Sequence, residues 1–154
     1  MKTQVILGDS VEVHFENRYA LVYWSSAHQC VGTWWKKAEF GEDWAGSDTV
    51  KESLDKGLEL VRAKHATRWL ADCRDMAVLP PDIQKWLIDD WWPRALAAGF
   101  RWLALLLPKS TITKMAIDVS LRPSREAVQS ETRYFGDVDE ARAWLQAVSQ
   151  EQGS

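Results

Sequence analysis

The residues of this chain that could do chemistry stand where a short apolar segment ends. Residues 67–72 predict a buried strand, and Cys73, Arg74 and Asp75 follow its last residue, Asp72. Open α/β sheets place their ligands at the carboxyl ends of strands, and two carboxylates beside an arginine suit acid–base chemistry or a polar ligand. The same charges also suit a turn that pairs internally. The sequence leaves both interpretations of Asp72, Arg74 and Asp75 open.

A second polar cluster follows the apolar segment of residues 102–107. Lys109, Ser110 and Thr111 precede a short helix predicted from Ile112 to Val119, and the N–H groups at the start of a helix can hold an anion. This is not a phosphate loop, because the required glycines are missing. Ordinary helix capping explains the same residues, so an anion site is one of two interpretations.

The cysteines and histidines do not indicate a metal site or a cofactor. Cys30 and Cys73 lie in different predicted elements without CxxC spacing, which fits a reduced, cytoplasmic compartment. A buried inert thiol explains Cys73 better than a nucleophile does. The three histidines are scattered and do not match the spacing of metal ligands; they are His14, His28 and His65.

Length and charge limit the function classes. A chain of 154 residues predicts one domain. With 19 basic and 22 acidic residues, both signs interspersed, the net charge is −3 and no nucleic-acid partner is expected. No apolar run approaches the roughly 20 residues that a membrane-spanning helix needs, and the first eight residues do not predict a signal peptide.

The hydrophobic pattern predicts an α/β domain. Residues 18–24 and 30–36 predict an antiparallel hairpin, and residues 4–16 predict an N-terminal β ribbon. Residues 37–46 predict a loop, and an amphipathic helix starts near Ser47 to Thr49. Residues 67–72, 81–98 and 101–107 predict a strand, helix, strand crossover with parallel strands. Pro93 should bend that second helix, and Gly99 should cap it.

Ten tryptophans are the unusual feature of the composition. Most must be covered, because a tryptophan carries a large apolar surface. At 100° per residue, Trp86 and Trp92 point away from the expected core face of their helix. Trp34 and Trp35 alternate across their strand, so either one is exposed or both faces are covered. We consider an interface or pocket built from Trp86, Trp92 and Trp35 alongside ordinary burial by another helix or loop.

Several strings resemble one bacterial family. They are Trp69-Leu70-Ala71-Asp72-Cys73-Arg74-Asp75-Met76, Pro81-Asp82-Ile83-Gln84-Lys85-Trp86, Trp92-Pro93-Arg94-Ala95 and Arg133-Tyr134-Phe135-Gly136-Asp137. These strings, and the order of elements from about residue 18 to 148, are similar to the stand-alone STAS or SpoIIAA-like proteins, most of which have no assigned activity. The resemblance implies a single SpoIIAA-like domain with a mixed sheet of about five strands and four helices. Residues 150–154 would form a frayed tail.

One departure from that family concerns regulation. In anti-sigma-factor antagonists a serine or threonine that receives phosphate lies between the middle strand and its helix, which corresponds here to the stretch from Asp72 to Asp82. This chain has no serine or threonine from Arg68 to Lys109. The resemblance therefore does not carry the phosphorylation switch over to this protein.

The function that we expect is a non-enzymatic regulatory or protein-interaction module, acting through a tryptophan-bearing surface and forming a homodimer or binding a protein partner. The alternative is a carrier or sensor of a small apolar ligand, which the distant likeness of STAS domains to SEC14 domains suggests. A third hypothesis is an enzyme that uses Asp72 and Asp75. The predicted ligand or partner surface comprises Trp86, Trp92, Trp35, Asp72, Arg74 and Asp75.

Overall fold

Seven strands form one mixed sheet in the computed structural model, which describes residues 2–36, 47–75, 81–108, 111 and 131–152. The strands lie side by side in chain order. The first four pair antiparallel, and the fourth to the seventh pair parallel. They are β1 (Lys2–Ile6), β2 (Asp9–Glu16), β3 (Ala20–Ser25), β4 (Cys30–Trp35), β5 (Arg68–Asp72), β6 (Trp102–Leu106) and β7 (Glu131–Phe135).

Three helical bodies accompany the sheet within the described ranges. Helix α1 (Ser47–Lys64) connects β4 to β5. The connection from β5 to β6 contains α2 (Pro81–Trp86), a π-helical turn (Leu87–Trp91) and α3 (Trp92–Ala97), which run on without a break and are called the 81–97 helix below. Helix α4 (Val138–Gln152) follows β7.

The α/β class, the β3–β4 hairpin and the parallel pair β5–β6 are confirmed. The expected count of about five strands is wrong, because the N-terminal ribbon does not stand apart: β2 pairs with β3 and so extends the sheet. The predicted helix over 112–119 and the predicted loop over 37–46 lie outside the described residues. Helix α4 continues to Gln152, so the chain stays helical into the predicted tail.

Local sequence explains where several elements end. Leu7 and Gly8 both have positive φ, of 53° and 77°, which is the two-residue turn that matches the twist of a β hairpin. Gly99 follows the 81–97 helix with a φ of 107°, and the N–H of Phe100 returns to the carbonyl of Ala95 at 3.1 Å. That bond closes the last helical turn, as the glycine position predicts.

The two faces of the sheet bury different helices. Trp69 and Ala71 of β5 pack with α1 and the 81–97 helix around Trp91 and Phe100. Leu70, which points the other way, packs with α4. The strands β4, β5 and β6 follow each other across the sheet in one direction. Right-handed crossovers between such strands place both connecting helices, α1 and the 81–97 helix, on the same face. The domain therefore has three layers, with the sheet between helices.

The π-helical turn lies where the spacing of the apolar residues and the position of Pro93 both favour a wider turn. Apolar residues recur every four positions in this helix, and in a regular α-helix of 3.6 residues per turn such a row drifts by about 40° at each step. The N–H of Trp92 donates to the carbonyl of Leu87, five residues back. This wider turn offsets the drift, so that Ile83, Trp91 and Ala95 are all buried. The wider turn also lies just before Pro93, whose ring would crowd the carbonyl of Asp89 in a regular α-helix.

Candidate functional site

The carboxyl end of β5 forms a closed ion pair. Asp72 is 5% exposed. Its two carboxylate oxygens accept hydrogen bonds from the Nε and Nη2 atoms of Arg74, at 2.9 and 2.8 Å, and its Oδ1 atom also accepts from the main-chain N–H of Arg74 at 3.2 Å. Hydrogen bonding to Asp72 raises the pKa of the Arg74 guanidinium above its ordinary value. The pairing interpretation of this turn accounts for both residues.

Asp72 and Asp75 have different surroundings, although both act on the charge of Arg74. Asp75 is exposed, whereas both oxygens of Asp72 are held by Arg74. Between them, Cys73 donates its main-chain N–H to the carbonyl of Leu106 at 2.9 Å, which extends the parallel pairing by one residue. Burial raises the pKa of the Cys73 thiol to about 12, so the thiol is protonated at neutral pH and is a poor nucleophile.

Of the predicted anion site, Thr111 alone belongs to the described residues. Its N–H donates to the carbonyl of Pro108 at 2.9 Å, which forms a turn just after β6. Lys109 and Ser110 lie outside the described part of the chain. Anion binding by these three residues stays a prediction.

Trp86 does not form an open surface on the far side of its helix. It is half-buried, with the Nζ atom of Lys51 at 5.5 Å and the Cζ atom of Arg94 at 5.8 Å from its ring centroid. Lys51 belongs to α1, which packs beside the 81–97 helix and covers the side that helical spacing alone assigns to solvent. Arg94 also bonds to Asp55 at 2.9 Å and to Asp90 at 2.8 Å, and thereby ties the two helices together.

Trp35 and Trp92 differ in burial. Trp35 is 3% exposed and belongs to the apolar cluster of Ala20, Val50 and Ile83, so it is an interior residue. Trp92 is half-buried, and its ring contacts Trp91 and Phe100 at centroid separations of 5.2 and 5.5 Å. Burial removes Trp35 from the predicted surface, whereas Trp86 and Trp92 both pack against the edge of one apolar cluster.

The structure reveals an exposed apolar residue that the sequence interpretation passed over. Ile88 lies on the π-helical turn and is 50% exposed. Trp92 and Leu96, both half-buried, follow it at intervals of four residues, and residues at that spacing are neighbours on a helix. We call Ile88, Trp92 and Leu96 the apolar row. The sequence contains a sign of this row: Ile88 precedes Trp92 by four residues, so the two share one side of the helix, and Ile88 lies outside the predicted core stripe.

Charges of both signs border the apolar row. Asp89 follows Ile88, and Lys85 precedes it by three residues; both are exposed. The exposed Arg101 donates its Nη1 to the carbonyl of Leu96 at 3.4 Å. A surface of this kind suits a partner that offers apolar contacts in the middle and polar groups of both signs at the rim.

Comparisons with known proteins do not assign the chain: no protein-family model, no curated protein and no solved structure matches it. None of the helices in the described ranges is both long enough and apolar enough to cross a membrane. Among the same described residues, no group of three or more histidine, cysteine or acidic side chains is placed to hold a metal ion.

Proposed function

We propose that this protein is a non-enzymatic binding module that engages a protein partner through the apolar row of Ile88, Trp92 and Leu96. The observation that carries the proposal is the 50% exposure of Ile88 on a π-helical turn. Such turns occur often at functional sites, and tryptophan, the residue type of the half-buried Trp92 in the row, is enriched among the residues that dominate binding energy at interfaces.

The resemblance to STAS domains supports the same class of function. A STAS-type module acts by binding other proteins, and this chain has the strings that resemble the family without a serine or threonine from Arg68 to Lys109. A role as a regulatory module that is not controlled by phosphorylation at that position agrees with both features.

Two other hypotheses have weaker support. The bidentate contact with Arg74 engages both oxygens of Asp72, one of the two carboxylates that the enzyme hypothesis uses. The carrier hypothesis requires room for an apolar ligand, and the aromatic rings on the helical face occupy the place where such room is expected. Trp69, Trp91, Trp92 and Phe100 contact each other at centroid separations of 5.2 to 5.8 Å, so these rings fill the space between them.

The test compares the wild type with Ile88→Asp and a control, Ala147→Asp. Ala147 is also an exposed apolar residue and lies on α4, so both variants exchange an exposed apolar side chain for a carboxylate, and only one touches the row. Each protein is used to capture partners from its own cells, and a captured protein is then purified and titrated against all three forms.

We expect binding to fall at least about tenfold with Ile88→Asp, as for a central interface residue, and to change little with Ala147→Asp. A purified partner that binds both variants equally contradicts the proposal. Native mass spectrometry of the isolated protein addresses the carrier hypothesis: an added small mass that is lost on denaturation would support that hypothesis in place of ours.

A further inference from the structure

The edge of the sheet at β1 offers main-chain groups in a self-complementary pattern. β1 is the terminal strand and pairs only with β2 among the described strands. Ile6 and Asp9 close the two-residue turn, and the pair that closes such a hairpin exchanges both of its hydrogen bonds. Because bonded and non-bonded pairs alternate along an antiparallel ladder, Lys2, Gln4 and Ile6 face β2, whereas the N–H and C=O groups of Thr3 and Val5 face outward.

The side chains on this edge are also suited to strand addition. Val5 is 69% exposed, the highest value among the large apolar residues, and Thr3 is exposed on the same side of the strand. β1 has one charged residue, Lys2, at its start, and has no proline. Charges within the strand and prolines are the usual means of keeping a sheet edge from pairing with another chain.

We infer that β1 pairs antiparallel with β1 of a second copy of this chain about a two-fold axis at Gln4, joining the two sheets. In this register Thr3 of one copy lies opposite Val5 of the other, and each such pair exchanges both main-chain hydrogen bonds through the outward groups of both residues. Lys2 lies opposite Ile6, so no like charges face each other, and the threonine and valine side chains form a favourable cross-strand pair.

The other edge of the sheet is a less suitable partner. At β7, Glu131 and Arg133 form an exposed ion pair. A contact between β1 and β7 of another copy would also be heterologous and would continue into an open chain of molecules, whereas pairing of β1 with itself closes after two copies. The edge is only five residues long, and stable interfaces bury about 1,200–2,000 Å². We therefore expect a weak dimer that forms as concentration rises.

Amide hydrogen exchange on the wild-type chain gives the most direct test. At low concentration the amides of Thr3 and Val5 should exchange quickly, and those of Gln4 and Ile6 should be protected by β2. Toward millimolar concentration, protection should appear at Thr3 and Val5 in step with the dimer fraction from sedimentation equilibrium. A chain that stays monomeric, or a dimer in which Thr3 and Val5 still exchange quickly, overturns the inference.

Val5→Pro removes the outward N–H that the two-fold pairing uses and leaves the bonds to β2 intact, since proline is tolerated at a sheet edge where its nitrogen faces outward. We expect dimerisation to weaken by about tenfold or more. The matched control is Val5→Ala, which keeps the N–H and should still dimerise. Thr3→Pro is a second variant with the same expectation.

Protection of Gln4 and Ile6 shows whether β1 stays folded in each variant. Ile88→Asp should leave dimerisation unchanged, which separates this inference from the proposed function. Equal dimerisation by Val5→Pro and Val5→Ala, with β1 folded in both, contradicts the pairing of β1 strands.

Discussion

Replacing Gly57 by alanine tests how closely α1 packs against the sheet. Gly57 is buried, and a Cβ added there would overlap the ring of Trp69 at its Cη2 atom. In the interior of an exposed helix the same change stabilises by about 1 kcal/mol, because alanine loses less backbone entropy than glycine. Here the gain of helix propensity opposes a steric cost, and the structure decides which is larger.

The steric cost should be the larger of the two. Trp69 is 2% exposed, and its Nε1 atom donates to the hydroxyl oxygen of Thr33 at 3.0 Å. Its ring is also held edge-on against Trp91 and Phe100, so it has little room to move aside. Overpacking of a filled core costs about 1–3 kcal/mol. With a helix-propensity gain of about 1 kcal/mol offsetting part of this cost, we expect a net loss of up to about 2 kcal/mol, or a fall in Tm of up to roughly 8 °C for a domain of this size.

Urea unfolding followed by far-ultraviolet circular dichroism measures the change in the free energy of unfolding. Arg62→Ala is the control for alanine substitution in α1, because Arg62 is exposed, and it should stay within about 0.5 kcal/mol of the wild type. Trp69→Phe removes the ring atoms that the new Cβ would meet, so in a double-mutant cycle Gly57→Ala should cost less in that background. Gly57→Ala more stable than the wild type, or two strictly additive changes, would refute the packing argument.

Two further predictions concern titratable groups. Cys30 is buried and Cys73 is half-buried, and desolvation raises the pKa of both thiols to about 12. Iodoacetamide should therefore label the folded chain slowly at mildly alkaline pH and the urea-unfolded chain quickly; fast labelling of the folded chain would contradict the raised pKa values. The second prediction concerns Glu16, whose hydrogen bond from Lys36 at 2.6 Å lowers the pKa of its carboxyl below 4.5. A carboxyl whose pKa is lowered by folding stabilises the protein at pH values above its unfolded pKa. This stabilisation is lost as the pH falls through the folded pKa. Glu16→Gln should therefore lose less stability than the wild type below about pH 4.5, by under about 1 kcal/mol for a pair so near the surface; equal acid dependence of the two proteins would show that this ion pair does not contribute.

The sequence by itself determined the elements and the way in which several of them connect. Period-two and period-3.6 patterns depend on neighbours in the chain, so they located the β3–β4 hairpin, the start of α1 and the parallel pair β5–β6. The turn at Asp72 was also predictable as an ion pair, because Arg74 lies two residues away and both charges leave the same strand end.

Tertiary structure alone decided what surrounds those elements. Pairing of β2 with β3 depends on a register between distant segments, which turned a separate ribbon into part of a seven-stranded sheet. Whether Trp86 is exposed depends on where α1 packs, and a helical wheel contains no second helix. The π-helical turn contains Ile88 and changes the direction of the side chains that follow it, and the exposure of Ile88 depends on how the whole helix packs against the sheet. Local patterns specify the backbone, whereas burial is a property of pairs of elements that are far apart in the chain.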